Sequence, residues 1–229
     1  MPFKLSYILD VFLAHLTGLH YLLFGASLMG LTLLPWLSKS CNRIVPFLLV
    51  WSLSDILALF TAIIFKNNSP IFHAYSLVGT AFILSYYYPQ LKNLPYMRSV
   101  FWWGMIGYFL IWLVNLLYFQ PPSIFPSNTI MFSCVLILFF VLMSFKYMLD
   151  HPIEESIFVQ AQFWFNTGIL IFYSSSFLYF FFESFLQKIG QYPIYLLHVI
   201  RYPNIIWIIC IIIGMLGDLG VLSYKKTES

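Results

Sequence analysis

The sequence predicts an all-α integral membrane protein, built as a single domain over residues 1–229 with seven transmembrane helices in one bundle. The first observation that predicts this fold class is the composition: 61% of the 229 residues are hydrophobic and 21% are aromatic, whereas only 8% are charged. A soluble domain carries roughly 25% charged residues. A chain with so few charges cannot cover its surface with polar groups, so we expect lipid to surround it.

The second observation is the spacing of the apolar runs. Seven runs have about the 20 mostly apolar residues that a helix needs to cross a bilayer, and they lie near 13–34, 44–65, 71–88, 99–119, 129–149, 163–185 and 194–222. The breaks between them contain Pro, Asn or charged residues, as expected where a chain returns to water. The third run is the shortest, and the seventh is long enough to tilt, to kink at Pro203 or to extend past the membrane.

The third observation is the distribution of Lys and Arg among the loops, which predicts the orientation of the bundle. Cytoplasmic loops carry an excess of these residues. One side of the predicted bundle holds seven of them, namely Lys39, Arg43, Lys92, Arg98, Lys146, Lys225 and Lys226, and the other side holds Lys4, Lys66 and Lys188. The sequence therefore predicts an N-terminus outside the membrane and a C-terminus in the cytoplasm.

Ionisable side chains inside the predicted spans indicate a site in the outer half of the bundle. Such residues are costly within a membrane and often mark functional positions. His198 and Arg201 lie in the outer part of the seventh span, about 60° apart around the helix. His73 lies near the outer end of the third span and Glu183 near the outer end of the sixth. We expect these four side chains to converge on one cavity.

A buried Arg201 would need a carboxylate, backbone carbonyls or water, because a guanidinium stays charged. Glu183 is the expected partner, since both residues flank the loop between the sixth and seventh spans, and Asp10 and Asp55 are alternatives. The sequence leaves three interpretations open. In the first, Arg201 extends to the outer interface; in the second, it forms an ion pair of purely structural use; in the third, the ion pair lines a ligand pocket.

A polar stripe on the sixth span extends the predicted site. Asn166, Tyr173, Ser176 and Glu183 are spaced seven, three and seven residues apart, which places them on one face of a helix. The predicted ligand-binding residues are therefore His73, Tyr75, Asn166, Ser176, Glu183, His198 and Arg201.

The histidines are open to three interpretations: packing residues, pH-responsive or ligand-contacting groups, and ligands of a metal or haem. The sequence requires no cofactor and shows no metal-binding motif. It also shows no nucleophile–base pair, so we expect no enzyme and assign no catalytic residue. Ser69 and His73 match part of the pattern of a seven-span zinc hydrolase, but the later paired His is missing.

A short internal echo suggests a repeat. The third span begins "SPIFHAYSL" and the seventh begins "YPIYLLHVI", and each places His shortly after a Pro-Ile-aromatic group. Seven spans with the fourth as a linker would then form two parallel three-helix repeats, a 3+1+3 arrangement known in transporters. His73 and His198 would occupy equivalent positions in such a repeat.

Three stretches, "NNSPIFHAYSLVGTAFIL", "FWFNTGILIFYSSSFLYFF" and "YLLHVIRYPNIIWIICIIIGM", resemble a group of small seven-span membrane proteins of Bacteroidetes-type bacteria. Related spans occur ahead of histidine kinases. The residues that carry the resemblance are His73, Tyr75, Asn166, Thr167, Gly168, Ser174, Ser175 and His198. The group has a carboxylate one turn after the Tyr, where this chain has Gly79, so we expect no carboxylate-dependent role there. The resemblance implies a sensory module of the bacterial cytoplasmic membrane, used alone or with a kinase.

Taken with that resemblance, the sequence predicts a sensory or receptor-like module that binds a small ligand in the outer half of the bundle and signals to a partner. The alternatives are a small-solute transporter built from two three-helix repeats and a structural or pore-forming subunit of a membrane assembly. The expected partners are the lipid bilayer and a signalling protein such as a histidine kinase. A homo-oligomer is an open alternative, and no nucleic acid partner is expected.

Overall fold

The described part of the chain folds into helices joined by short loops. The structure, a computed structural model, describes residues 16–152, 156–188 and 196–220. These residues form seven α helices: α1 (Gly18–Leu33), α2 (Ile44–Phe65), α3 (Ser69–Leu91), α4 (Met97–Val114), α5 (Ser127–Asp150), α6 (Ala161–Lys188) and α7 (Leu196–Asp218). Each helix corresponds to one predicted apolar run, so the all-helical fold class is confirmed. Asp10 and the predicted span residues 13–15, 194–195 and 221–222 lie outside the described residues.

Five of these helices are long and apolar enough to cross a membrane. The five candidate spans are Cys41–Phe65, Met97–Phe119, Ser127–Asp150, Ala161–Glu183 and His198–Asp218. The protein is therefore a multi-pass membrane protein of the all-α type.

The other two helices differ from these five for separate reasons. α1 has 16 residues, about 24 Å at 1.5 Å per residue, which is shorter than a hydrocarbon core of about 30 Å. α3 has 23 residues, but Ser, Thr, Tyr and His side chains lower its hydropathy. It packs against α2, α4 and α5, so much of its surface faces protein rather than lipid and tolerates polar groups.

Six of the helices form a closed ring. In the order α1, α2, α3, α5, α6, α7, each helix contacts the next, and α7 contacts α1. α4 lies outside the ring against α3 and α5. We call the end at which α2, α4 and α6 finish the upper end, and the opposite end the lower end. The upper end is the one that the sequence assigns to the outside.

Local interactions fix several helix ends. α2 stops where Lys66 adopts a left-handed conformation with φ of 57°. α3 begins at Ser69, whose backbone N–H donates to Oδ1 of Asn67 at 2.9 Å. At the lower end, the backbone N–H of Ser38 donates to Oδ2 of Asp218 at 2.6 Å. This last bond joins the end of α7 to the loop between α1 and α2.

Large buried side chains fill the middle of the ring. Trp207 of α7 is 0% exposed, and its ring stacks on Trp51 of α2 and Phe172 of α6, with centroids 4.7 and 4.6 Å away. We call the following buried residues the floor: Phe47, Leu48, Ile83, Leu84, Tyr86, Tyr87, Ile137, Phe140, Phe165, Ile169, Trp207, Ile208 and Ile211.

Glycines allow α6 and α7 to approach closely beside the floor. A Cβ on Gly168 of α6 would lie 2.7 Å from Cδ1 of Trp207 and 2.8 Å from Cβ of Cys210. A Cβ on Gly214 of α7 would lie 2.5 Å from Cε1 of Phe165. Small residues at such crossings let membrane helices pack backbone against backbone. The position of the floor therefore depends on these two glycines.

Candidate functional site: a cavity in the upper half

A cavity lies in the upper half of the ring, directly above the floor. Its volume is about 330 Å³, and α2, α3, α5, α6 and α7 line it together with Phe125 from the loop between α4 and α5. This volume is near the lower end of the range of roughly 300–1,000 Å³ for small-molecule sites. We call this space the cavity.

Eight aromatic side chains line the cavity: Trp51, Phe72, Tyr75, Phe125, Phe172, Tyr173, Tyr179 and Phe180. The rings of Trp51 and Phe172 lie 6.1 Å apart, and both also stack on Trp207 in the floor. Phe125 stacks on Phe180 with centroids 5.6 Å apart. The wall therefore offers several π faces to a bound molecule, and the lowest of them are packed directly on the floor.

The only charged side chains on the described wall are two carboxylates. Asp55 lies in the middle of α2, and Glu183 lies near the upper end of α6. No Lys, Arg or His of the described residues lines the cavity. The Asp55 carboxylate forms no hydrogen bond or ion pair with any residue that the structure describes. The described wall is thus acidic, and its deeper acid has no counter-charge among the residues that the structure describes.

Two further polar atoms of the wall are buried without a partner. Oγ of Ser176, a residue that is 1% exposed, and Oδ1 of Asn204 have no hydrogen-bond partner among the described residues. Two other serines of the wall, Ser76 and Ser133, bond within their own helix, as helical serines usually do. Oγ of Ser76 donates to the His73 carbonyl at 2.9 Å, for example. Ser176 and Asn204 can therefore bond to a molecule in the cavity.

Three of the seven predicted ligand-binding residues line this cavity: Tyr75, Ser176 and Glu183. The stripe predicted on the sixth span lies partly on its wall, because Tyr173 also lines it. The other four predicted residues lie elsewhere. The ligand-binding role of all seven remains a prediction.

His73 is buried beside the cavity wall, where its side chain and its backbone bond to neighbouring segments. It is 3% exposed, and its Nε2–H donates to the Ile124 carbonyl at 3.0 Å. Its own carbonyl accepts a hydrogen bond from Nε1 of Trp112 at 2.9 Å. These bonds hold α3 to the loop between α4 and α5 and to α4 itself. The side chain does not reach the cavity.

Asn166 lies on α6 between the floor residues Phe165 and Ile169, and its side chain bonds on the side of the floor away from the cavity. Its Nδ2 donates to Oγ of Ser144 at 2.9 Å, and Oγ of Ser144 donates to Oε1 of Gln90 at 3.1 Å. Nε2 of Gln162 lies 2.9 Å from both of those oxygens. We call Gln90, Ser144, Gln162 and Asn166 the lower polar cluster. Seven residues, nearly two turns, separate Asn166 from Tyr173, which places it too deep for the cavity.

His198 and Arg201 are exposed on α7 and do not line the cavity. The His198 ring stacks on Tyr202 at 5.5 Å. No ion pair joins Arg201 to Glu183 within the described part of the chain. This placement agrees with the interpretation that Arg201 extends to the interface, where a long charged side chain can keep its head in water.

Helix geometry explains why α7 presents other residues to the cavity. Ile200 and Asn204 line it, and residues four apart share a face of a helix. Arg201 lies about 100° from Ile200 and about 60° from Asn204 around the helix, and His198 lies about 160° and 120° from them. Both residues are on the exposed side of α7. His198 and Arg201, the ionisable residues of this apolar run, therefore lie outside the face of α7 that lines the cavity. The predicted convergence of His73, Glu183, His198 and Arg201 is not found, since only Glu183 reaches the wall.

The sequence-based site lacked Asp55, Trp51 and Asn204. Asp55 and Asn204 were visible as polar residues within apolar runs, but the sequence could not say which face of each helix points inward. In the sequence Trp51 resembles a membrane-interface anchor. Only the contacts of its ring with Phe172 of α6 and Trp207 of α7 show that it lies inside the bundle, on the cavity wall.

Fold and cavity together define a multi-pass helical membrane protein with a cavity of small-molecule size in one half of its bundle. No group of three or more His, Cys, Asp or Glu among the described residues is placed to hold a metal ion. No protein-family model matches the sequence, and no curated protein or solved structure matches it.

Proposed function

We propose that this protein is a sensory or receptor-like membrane module that binds a small ligand in the cavity and signals its occupancy to a partner protein. The observation that carries the proposal is a cavity, lined by aromatic rings and a few polar groups, that lies above a floor of buried aromatic and aliphatic side chains. A ligand can settle among the aromatic rings, but the floor blocks its passage to the lower end. A closed floor suits a receptor better than a channel.

The packing offers a route from the cavity to the lower end. Trp51 and Phe172 touch both the cavity and Trp207. A ligand that displaces either ring must also shift Trp207 and with it α7. The lower end of α7 is bonded through Asp218 to Ser38 in the loop between α1 and α2. Coupling between distant sites requires such a contiguous element with two arrangements, and α7 is the element we propose.

The ligand-binding half of the proposal can be tested by thermal unfolding of the purified protein. A library of small cationic, neutral and anionic metabolites would be screened for compounds that raise the melting temperature. The Ser176→Trp variant fills the cavity and should lose this response, whereas Ser85→Trp on the exposed face of α3 should keep it. Compounds that stabilise all three proteins equally would act outside the cavity and contradict the proposal.

The same module would cross the membrane seven times, with its upper end outside the bacterial cytoplasmic membrane. This orientation rests on the seven-to-three distribution of Lys and Arg described above. Reporter fusions provide the test. A reporter after His151 should report the cytoplasm, and one within residues 121–124 should report the outside. Reporters on the same side would show that α5 does not cross the membrane. Reporters with the two sides exchanged would contradict the orientation or remove one span ahead of α5, with α1 or α3 as the first to question.

The proposed partner is a histidine kinase or a similar signalling protein, and the proposal of such a partner rests on the sequence resemblance. The partner would bind to the lower end of the bundle, which carries most of the positive charge. Co-purification of the two proteins from the membrane, with and without a stabilising compound, would test this. A ligand-dependent change in the amount recovered supports signalling, and its absence contradicts it.

A small-solute transporter built from two three-helix repeats is the second candidate. Two observations favour it: α4 lies outside the ring, as a linker would, and the lower polar cluster offers polar groups beneath the floor. His73 is buried and His198 is exposed, so the residues of the sequence echo are not equivalent. Counterflow uptake of a stabilising compound into proteoliposomes separates the two candidates. Uptake that depends on the protein would replace the receptor with the transporter.

A further inference from the structure

We infer that the ligand of the cavity is a protonated amine with an apolar body, and that Asp55 is its counter-ion. This inference rests on the proposed function, because it names the chemical class of molecule that the same cavity binds. The size of the cavity limits only the size of the ligand, whereas the chemical groups on the wall indicate its charge and polarity.

The charge of the described wall is not balanced. Asp55 lies near the middle of α2, about ten residues or 15 Å from the upper end of that helix. A carboxylate at such depth is costly unless a cation or hydrogen-bond donors accompany it. The described residues of the wall include no Lys, Arg or His, and none of the described residues bonds to Asp55. A cationic ligand would supply the missing charge.

Two further polar groups of the wall, on Asn204 and Ser176, can accept hydrogen bonds. Oδ1 of Asn204 accepts but cannot donate, and it is buried without a partner. Oγ of Ser176 is also buried without a partner and can accept. Together with Asp55, the wall therefore offers three acceptors that call for donors. A primary or secondary ammonium group carries N–H donors as well as positive charge, whereas a quaternary ammonium carries only the charge.

The aromatic rings of the wall also favour a cation. Trp51, Tyr75 and Tyr173 line the same cavity as Asp55. A cation within about 6 Å of such a ring is attracted to its π face. The remaining Phe rings of the wall offer apolar surface to the rest of the molecule. An amine with an aromatic or aliphatic body satisfies the acid, the acceptors and the rings together, and neither an anion nor a sugar does so.

The test uses probes of one shape that differ in charge. Benzylammonium, benzyl alcohol and benzoate would be titrated into the purified protein in nanodiscs, with binding followed by saturation-transfer NMR. We expect benzylammonium to bind about tenfold more tightly than benzyl alcohol, because a charge-assisted hydrogen bond in a partly desolvated site is stronger than a neutral one. Benzoate should bind least.

Variants of the acid separate a specific site from general partition into the membrane. Asp55→Asn should reduce the preference for the amine over the alcohol to less than about twofold, and Asp55→Glu should restore it, since the charge returns. Asp150→Asn serves as the matched control, because Asp150 is exposed at the lower end of α5 and the preference should not change. The thermal unfolding of each variant shows whether it is folded.

The outcomes separate this inference from the proposed function. Binding of benzyl alcohol or benzoate equal to that of the amine, with loss of binding in Ser176→Trp, would overturn the amine and leave the cavity as a binding site. Amine binding that Asp55→Asn does not weaken would overturn the counter-ion. Absence of amine binding at millimolar concentration would overturn the inference as a whole. The library screen, which does not depend on ligand charge, tests the proposed function separately.

Discussion

The upper and lower halves of the helix ring treat polar side chains differently. In the lower half, the side chains of Ser144, Gln90, Gln162 and Asn166 are joined by four hydrogen bonds, and Oδ1 of Asn166 is the one buried atom of this cluster without a partner among the described residues. In the upper half, Asp55, Ser176 and Asn204 face a cavity with polar atoms that no described residue satisfies. The same helices, α3, α5 and α6, contribute to both halves.

This difference shows that polarity inside a membrane bundle has two uses. A polar group whose hydrogen bonds are all made by neighbouring helices stabilises the fold. A polar group held at a cavity without a partner costs free energy until something binds there. Because four side-chain hydrogen bonds across α3, α5 and α6 join the lower polar cluster, we assign it a structural role and take the cavity as the candidate for function. The floor separates the two.

Removing the largest side chain of the floor should cause the largest loss of stability. Trp207→Ala deletes a ring stacked on Trp51 and Phe172, and the free energy of unfolding should fall by about 3–5 kcal/mol because a buried aromatic leaves a void. Unfolding of the purified variants, followed by thermal melting, measures the effect. Trp103→Ala is the matched control, because Trp103 is 73% exposed and the loss there should be much smaller. Equal losses would mean that the floor is not the packed centre.

Adding volume at the α6–α7 crossing should have the next largest effect. Gly168→Val places methyl groups where a Cβ already lies 2.7 Å from Trp207, so α6 and α7 must separate at a cost of about 1–3 kcal/mol. Gly107→Val on α4 is the control, since no atom lies within 4 Å of a Cβ built there. The melting temperature of Gly168→Val should fall well below that of Gly107→Val. A fall of the same size in both would refute the close crossing.

The lower polar cluster should respond moderately to loss of its central hydroxyl. Ser144→Ala removes the hydroxyl that joins Asn166, Gln162 and Gln90, and we expect a loss of about 1 kcal/mol, within the range for hydrogen bonds between membrane helices. Ser85→Ala provides the control, because the Ser85 hydroxyl is exposed and bonds to its own helix at Phe82. Ser144→Ala with unchanged stability would show that the cluster is not structural.

The smallest effect on stability should occur at the cavity. Ser176→Ala removes a hydroxyl that has no partner, so the free energy of unfolding should change by less than about 0.5 kcal/mol or rise slightly. The substitution is chemically the same as Ser144→Ala, so the two form a matched pair across the floor. A loss at Ser176 as large as that at Ser144 would indicate a structural hydrogen bond in the upper half and remove the contrast.

The fold was more predictable from the sequence than the site was. Apolar runs broken by Pro, Asn and charge anticipated all seven helices, because a helix is the simplest way to satisfy backbone groups in lipid. The composition could not show that α1 is short or that α3 is partly covered by protein. Both facts depend on where the helices end and what packs against them.

The site was only partly predictable, because the rarity of a polar or charged residue in an apolar run does not show which face of the helix it occupies. Arg201 and His198 stand out in an apolar run, yet they lie on the exposed face of α7, and Asn204 lies on the inward one. The stripe on α6 was a better guide, since spacing along one helix fixes a shared face: Tyr173, Ser176 and Glu183 all line the cavity. Asn166 shares that stripe but lies below the floor, because spacing does not fix depth.

Labelling of introduced cysteines tests most directly whether the upper half holds an accessible cavity and the lower half does not. In a protein whose three native cysteines are replaced by Ala, Ser176→Cys and Ser144→Cys would be exposed to a small thiol reagent added to the outside of intact cells. We expect that Cys at position 176 is labelled, that a stabilising ligand protects it, and that Cys at position 144 is not labelled. Equal labelling at both positions, or labelling at position 144 alone, would contradict it.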